Sequence, residues 1–220
     1  MLGATGARRF FLNPLILGLG GTLAFLGLLV GGWLLWSVLR PPPAGFAPTS
    51  GRAASAVGGP PHVPQYTIDA RSRRDWAYFR FSDGTAVSAP RNSLEWDLAF
   101  RRTDALTNGG DTNPDGRGAA IDLGKIALEE AVVPKDGYLA DVAHDDRGLE
   151  NPALRKWYSY NWTTHIVSSR NHTYAVRTAA GETVIVTFVS YYCDDGSAGC
   201  ITFRYVYPQG IGSSLGSAAH

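Results

Sequence analysis

Apolar and polar residues alternate along several short runs in the C-terminal two thirds of the chain. In LEWDLAFRR (94–102) the apolar side chains occupy every second position, at Leu94, Trp96, Leu98 and Phe100. Other runs are rich in β-branched and aromatic residues: WAYFRF (76–81), TYAVRT (173–178), TVIVTFVSYY (183–192) and ITFRYVY (201–207). A period of two predicts β-strands, and turn sequences such as SDG and KDG separate them. We predict an all-β domain over residues 65–208, folded as an antiparallel sandwich or a partly open barrel.

A continuous apolar segment precedes this domain. No charged residue occurs from Phe10 to Leu39. A helix over residues 15–39 would be about 37 Å long, which is enough to cross a bilayer. A cleaved signal peptide is the alternative, but its apolar core usually spans only about 7 to 15 residues. We therefore expect a single uncleaved transmembrane helix.

The arginines around this segment predict its orientation. Arg8 and Arg9 precede it, and only Arg40 follows it closely. Because positively charged residues tend to stay on the cytoplasmic side, we expect residues 1–14 in the cytoplasm. The β domain would then lie on the periplasmic side of a bacterial cytoplasmic membrane, and the lipid bilayer is the first predicted partner.

Two segments have compositions that cannot form a core. Residues 40–64 are rich in proline, glycine, alanine and serine, which predicts a semi-rigid spacer of long reach. Residues 209–220 are rich in glycine, serine and alanine, which predicts a flexible tail.

Charge and motifs argue against several functions. Lys and Arg number 20 and Asp and Glu 19, but four of the arginines precede the first acidic residue, Asp69. The β domain is therefore mildly acidic and lacks the basic surface that nucleic acids require. GSSLG (212–216) matches the nucleophile-elbow pattern, but it lies in the tail without a flanking strand or helix. No metal-protease, phosphate-loop or dinucleotide motif occurs, so we predict that the protein is not an enzyme.

The chain has two cysteines, Cys193 and Cys200, which flank DDGSAG between the last two strand-like runs. In an oxidising compartment, we expect a disulfide that closes this hairpin. A zinc site would need two more ligands at a suitable spacing, and the neighbouring sequence offers none.

Several motifs together resemble the HmuY-like family of exported β-rich proteins. They occur in order over residues 65–208: YTIDARSRRDWAYFRFSDGTAV, LEWDLAFRRTDALTNGG, GRGAAIDLG, VPKDGYLADV, KWYSYNWTTH, YAVRTAAGE and SYYCDDGSAGCITFRYVYP. The best-known members capture haem, so the resemblance implies an exported β domain with haem as a candidate cofactor. The apolar segment and the spacer lie outside the resemblance.

The resemblance also implies how haem would be held, by two histidines or two methionines on loops at one side of the domain. Met1 is the only methionine, which excludes a methionine pair. His165 follows the run WYSYNW, near the place where one family ligand lies, and His144 is the candidate in the second ligand region. Haem bound by His144 and His165 is therefore one hypothesis, and histidines with only structural roles are the alternative.

The loop DTNPDGRGAAID (111–122) resembles a calcium-binding loop. Oxygen-bearing side chains stand at positions 1, 3, 5 and 12 of the template, namely Asp111, Asn113, Asp115 and Asp122. The template expects a helix on either side, whereas a predicted strand leads into this loop. A structural turn of glycine and asparagine is the favoured interpretation, and calcium remains the alternative.

Small residues form a ridge along the predicted membrane helix. Gly20, Ala24, Gly27 and Gly31 follow steps of four, three and four, which place them on one face where another helix could approach closely. Our leading hypothesis is a non-catalytic, single-span accessory subunit of a multi-subunit membrane complex, respiratory or photosynthetic, whose other subunits pack on this ridge. The alternative is a membrane-tethered haem-binding protein of the HmuY type.

Overall fold

The structure, a computed structural model, describes residues 14–39, 41, 43–55 and 63–208; for residues 14–20 it describes the backbone alone. The predicted cytoplasmic N-terminus up to residue 13 and the predicted tail, 209–220, lie outside these residues. The chain divides into two compact units: one contains the N-terminal helix together with Trp162–Thr164, and the other contains the rest of the β domain.

The N-terminal helix, α1, spans Pro14–Leu39. Within the described part of the chain, it is the one helix long and apolar enough to cross a membrane. No acidic residue lies in its first turn and no basic residue in its last. Nearly all its described side chains are exposed, as expected for a helix whose surroundings are lipid or other proteins.

Among the described residues, the β domain has fourteen strands, in chain order: β1 Ala54–Ser55, β2 Pro64–Asp69, β3 Ala77–Arg80, β4 Thr85–Val87, β5 Leu98–Arg101, β6 Asp104–Thr107, β7 Ala119–Asp122, β8 Val142–His144, β9 Gly148–Glu150, β10 Tyr158–Asn161, β11 Ile166–Ser169, β12 Thr173–Arg177, β13 Thr183–Tyr192 and β14 Ala198–Val206. Two short 3-10 helices, Leu128–Glu130 and Leu154–Lys156, interrupt the longer connections.

The strands form two main antiparallel sheets. The larger has the order β1-β2-β14-β13-β12-β7, and the smaller has the order β4-β3-β5-β6. Two separate hairpins, β8–β9 and β10–β11, complete the domain. The prediction of an all-β, antiparallel and unclosed domain behind one apolar helix is confirmed.

Aromatic side chains fill the space between the two sheets. Phe79 of β3 meets Phe203 of β14 edge to face, with ring centroids 4.9 Å apart. Phe100 of β5 contacts Phe188 of β13 in the same manner, and both are fully buried. Such pairs add about 0.5–1.5 kcal/mol each beyond the burial of their area, so the alternating aromatic positions hold the sandwich together.

The run 94–102 departs from the simple alternation. β5 begins only at Leu98; Leu94 is exposed, and Trp96 packs in a separate small cluster with Ala99 and Leu106. Asp97, which the alternation of this run places opposite its apolar side chains, is nevertheless buried. Its carboxylate accepts hydrogen bonds from the backbone N–H groups of Phe81 (2.8 Å) and Ala179 (2.9 Å), which explains why a polar residue lies inside.

Much of the predicted spacer is part of the folded domain. The Ser190 hydroxyl donates to the carbonyl of Ala44, and the N–H of Phe46 donates to the carbonyl of Tyr192 at 3.0 Å. Further on, Ala54 and Ser55 pair with β2. Residues 43–55 therefore lie on the domain surface, and the prediction of a spacer over all of residues 40–64 needs correction: backbone hydrogen bonds hold this segment despite its composition.

Candidate ligand-binding site

Cys193 and Cys200 form the predicted disulfide. It closes the turn between β13 and β14, where the N–H of Cys193 donates to the carbonyl of Ser197 at 2.8 Å. Both sulfurs are buried, and the described part of the chain has no free cysteine. The cysteines therefore have a structural role in the hairpin.

The β10–β11 hairpin carries His165, one of the two histidines implied for haem. His165 lies in the turn after Trp162, with a positive φ of 56° that histidine tolerates better than most residues. Its Nδ1 shares a hydrogen bond with the hydroxyl of Tyr160. Tyr160 is 53% exposed and Trp162 is 72% exposed. Because the tyrosine orients the imidazole through Nδ1, Nε2 is the nitrogen that could bind a ligand.

His144 lies on the other small hairpin, at the end of β8. Its Nε2 is 3.0 Å from a carboxylate oxygen of Glu150, and its Nδ1 is 3.3 Å from the guanidinium of Arg147. Burial opposes the ionisation of Glu150, but the hydrogen bond from Arg155 and the neighbouring positive charges outweigh it and lower the pKa of Glu150. Both ring nitrogens of His144 thus already have protein partners.

The structure does not show His144 and His165 as a pair. They belong to different hairpins, and their hydrogen-bond partners are different side chains. A metal held by His144 would have to displace either Glu150 or Arg147. Of these two histidines, His165 is the one that could bind haem iron without losing a contact that the structure shows.

A third histidine, which the sequence pattern did not single out, pairs with a predicted calcium ligand. Nδ1 of His172 lies 2.9 Å from a carboxylate oxygen of Asp122, and the histidine is only partly exposed. A carboxylate in this position fixes the orientation of the imidazole. The two residues are 50 positions apart in the sequence, so no local motif could have indicated the pair.

Asp111 and Asn113, two of the remaining candidate calcium ligands, have other contacts, whereas Asp115 is exposed. Asp111 accepts the N–H of Ala143 at 2.7 Å. The buried amide of Asn113 donates to the side chain of Asn108 at 2.7 Å and to the carbonyl of Ser93 at 3.1 Å. Across the described residues, no group of three or more His, Cys, Asp and Glu side chains could hold a metal ion. The calcium alternative therefore gains no support from the geometry.

Close backbone contacts explain the composition of this loop. A Cβ on Gly109 would lie 2.1 Å from the carbonyl oxygen of Gly118, and one on Gly116 would lie 2.1 Å from that of Asn108. Separations below about 3 Å require the backbone to shift. The stretch after β6 is thus a structural loop of glycine and asparagine, the interpretation favoured from its sequence.

A buried carboxylate, Asp141, joins the loop to the β8–β9 hairpin. It accepts the N–H of Thr107 at 3.0 Å, the hydroxyls of Thr107 and Thr112 at 2.7 Å each, and the amide of Asn151 at 2.9 Å. Burial raises the pKa of Asp141, and these donors partly counteract the increase. An aspartate within the largely apolar run YLADV could have suggested a buried polar site. Its hydrogen-bond partners could not have been predicted, because they come from other segments of the chain.

An apolar groove of about 850 Å³ lies along the outer face of the larger sheet, beside the 3-10 helix Leu128–Glu130. Its lining includes Val63, Val132, Ile185 and Tyr207 and contains neither histidine nor methionine. Burial, with a smaller effect from the charge of Asp97, raises the pKa of Tyr207 to about 12. This tyrosine therefore stays protonated near neutral pH, and the groove offers no ready ligand for iron.

The ridge on α1 is open to neighbours. A Cβ built on Gly27 or Gly31 would meet nothing within 4 Å, and Ala24 is exposed. Gly20 lies in the helix, in the turn for which only the backbone is described. The described side chains of the ridge can accommodate a closely packed helix or lipid.

Together, these features define a disulfide-closed β-sandwich behind an apolar helix, with its candidate histidines on hairpins outside the core. The sequence model of the family described as HmuY protein matches residues 72–205, more than half of the chain. The chain belongs to the HmuY family. No curated protein matches it.

Solved structures show the same fold. A candidate HmuY-like haem-binding protein from Bacteroides vulgatus is 23% identical to this chain and superposes with a TM-score of 0.54. The match covers 76% of this chain and 100% of the Bacteroides vulgatus chain. A candidate lipoprotein from Bacteroides fragilis is 21% identical, with a TM-score of 0.54, covering 68% and 91%. The apo form of an HmuY analogue from Tannerella forsythia is 18% identical, with a TM-score of 0.53, covering 64% and 93%.

Proposed function

We propose that this protein is a non-catalytic binding protein, anchored by α1 in the cytoplasmic membrane with its HmuY-family domain on the periplasmic side. Membership of the family carries the proposal. The apolar helix and the disulfide agree with an anchored domain in an oxidising compartment. We consider two classes of binding partner in turn, haem and a membrane-protein complex.

Haem is the first candidate, because one structural relative is described as an HmuY-like haem-binding protein. When bound, haem would supply an iron centre with open coordination positions. His165 would hold the haem iron through Nε2, with Tyr160 orienting the ring through Nδ1. His144 would remain in its ion-paired cluster with Glu150.

Titration of the purified full-length chain with haemin tests this assignment. We expect a sharp Soret band that is lost in His165→Ala and retained in His144→Ala. Loss in His144→Ala would show that His144 leaves its cluster and binds iron after all. No Soret band in the unmodified chain would remove haem as the ligand and leave the second candidate.

The second candidate is an accessory subunit of a larger membrane complex, respiratory or photosynthetic. The open ridge on α1 is the observation that favours it, since glycines at this spacing allow another helix to approach closely. In this form of the proposal, the span is an interface with other subunits in addition to an anchor.

Leucine substitutions on the helix test this candidate. Gly27→Leu with Gly31→Leu keeps the span apolar but adds bulk on the ridge, so co-purification with membrane partners in mild detergent should fall sharply. Gly21→Leu with Gly32→Leu is the matched control: these glycines are equally open but lie about 100° around the helix from the ridge. Equal co-purification of both double variants would contradict packing on the ridge.

A further inference from the structure

The segment that leaves α1 is fixed to one end of the β domain. Gly45 pairs with Tyr192, the last residue of β13, and a Cβ on Gly45 would lie 1.9 Å from the carbonyl oxygen of Cys193. Together with the hydrogen bonds of Ala44 and Phe46, this contact holds the chain there. We call this part of the domain the Tyr192 end: residues 44–46, the β10–β11 hairpin and the 193–200 turn.

The β10–β11 hairpin belongs to the same end. The hydroxyl of Tyr192 accepts the N–H of Val167 at 2.9 Å, and Val167 is the strand partner of Tyr160. The exposed side chain of Tyr160 is therefore close to the point where the incoming chain is fixed, and the exposed Trp162 follows it by two residues in the same hairpin. Trp157, at the start of the same region, is by contrast fully buried.

The number of residues limits how far this end can lie from the membrane. Five residue steps separate Leu39, the last residue of α1, from Ala44. At no more than about 3.6 Å per residue, an extended chain covers at most about 18 Å. The polar layer on one side of a bilayer takes up part of this length, since both layers together add about 10–15 Å to the hydrocarbon core. The Tyr192 end must therefore lie close to the lipid headgroups.

We propose that the Tyr192 end docks on the membrane surface, with Tyr160 and Trp162 in the headgroup layer; this inference rests on the proposed membrane anchor. Tyrosine and tryptophan are favoured there because an apolar ring and a polar group can both be accommodated. Asp194 and Asp195 are exposed in the 193–200 turn, and their negative charges would repel anionic lipids. Zwitterionic headgroups are the ligand class that fits.

The opposite end of β13 provides a matched control. The turn that contains Ala180 precedes β13, whose ten residues span about 30 Å at the rise of an extended strand. Ala180 is exposed, as is Ser159, the neighbour of Tyr160 on β10. Ser159→Cys and Ala180→Cys each provide one labelling site while the native disulfide stays closed.

The full-length chain, labelled at either position with an environment-sensitive fluorophore, is reconstituted in phosphatidylcholine vesicles that contain headgroup-quencher lipid. We expect a blue shift and strong quenching at Ser159→Cys, and little of either at Ala180→Cys. Adding Tyr160→Ser and Trp162→Ser to the Ser159→Cys chain should remove most of the quenching. Equal quenching with and without the aromatic side chains would overturn their proposed role.

Vesicle flotation after an alkaline wash separates the two proposals. If the chain stays with the vesicles but quenching is equal at Ser159→Cys and Ala180→Cys, the membrane anchor is retained. That result overturns the docking inference alone. A chain washed off the vesicles overturns the membrane anchor, and the docking inference with it. A blue shift at Ser159→Cys that occurs only when a co-purified protein is present would assign this surface to a protein partner. It would contradict docking on lipid.

Discussion

The buried carboxylate of Asp141 allows a quantitative test of what joins the loop after β6 to the β8–β9 hairpin. Asp141→Ala removes the acceptor for the N–H of Thr107 and for the amide of Asn151, and neither donor residue is exposed to water. The hydroxyls of Thr107 and Thr112 can rotate toward other acceptors. The amide of Asn151 also retains the carbonyl of Leu139 at 3.0 Å.

The magnitude follows from these contacts. A buried donor left without an acceptor costs about 1–3 kcal/mol, and the N–H of Thr107 is the clearest such donor. Weaker contacts at Asn151 and the two hydroxyls add to this cost, while removal of a buried charge offsets part of it. We expect a loss of about 2–4 kcal/mol in the free energy of unfolding. With a slope of about 2 kcal/mol per molar urea, the midpoint would fall by about 1–2 M.

Urea unfolding of the full-length chain in mild detergent, followed through tryptophan fluorescence, measures this change, since Trp96 and Trp157 are buried. Asp141→Asn retains one acceptor oxygen and should cost less than Asp141→Ala. An Asp141→Ala chain with the midpoint of the unmodified protein would refute the argument that these hydrogen bonds stabilise the fold.

The free energy of unfolding should also depend on pH through Asp141. Its pKa is raised in the folded protein above the ordinary value of 3.8, so the folded state holds the proton to higher pH than the unfolded state. The resulting stabilisation is complete below pH 3.8 and is lost as the pH rises through the folded-state pKa. The stability advantage of the unmodified chain over Asp141→Asn should therefore shrink as the pH is raised from acidic values to neutrality, and an advantage that grows instead would contradict this.

Two further predictions concern the Tyr192 end. Thiol labelling of the unreduced, denatured chain should detect no free cysteine, and replacing both Cys193 and Cys200 by serine should cost about 2–2.5 kcal/mol because the ring is short; two labelled thiols would disprove the bond. Gly45→Val should release residues 43–55 and speed their amide hydrogen exchange, whereas Ala47→Val, at an exposed position in the same segment, should not. Unchanged exchange in Gly45→Val would show that this close contact is not needed.

The candidate site was only partly predictable. The resemblance implied His144 and His165, but the partners that distinguish them, Glu150 for one and Tyr160 for the other, follow from hairpin geometry. Spacing along the chain suggested calcium over residues 111–122. Spacing along the chain does not show where a side chain points. In the structure, Asp122 contacts His172, and Asp111 accepts a hydrogen bond from the backbone N–H of Ala143.

The sequence by itself determined the elements whose signal is local. Alternation predicts a strand because neighbouring side chains point to opposite faces, and an uninterrupted apolar run predicts a membrane helix because its length must match the bilayer. The short separation of Cys193 and Cys200 likewise made their bond predictable. Only the tertiary structure decided which polar residues are buried. Asp97 is inside because it satisfies the N–H of Ala179, 82 residues away, and Gly45 lies against Cys193 because a distant strand end meets it there. Such contacts depend on which segments meet in the folded chain, and no local pattern records that.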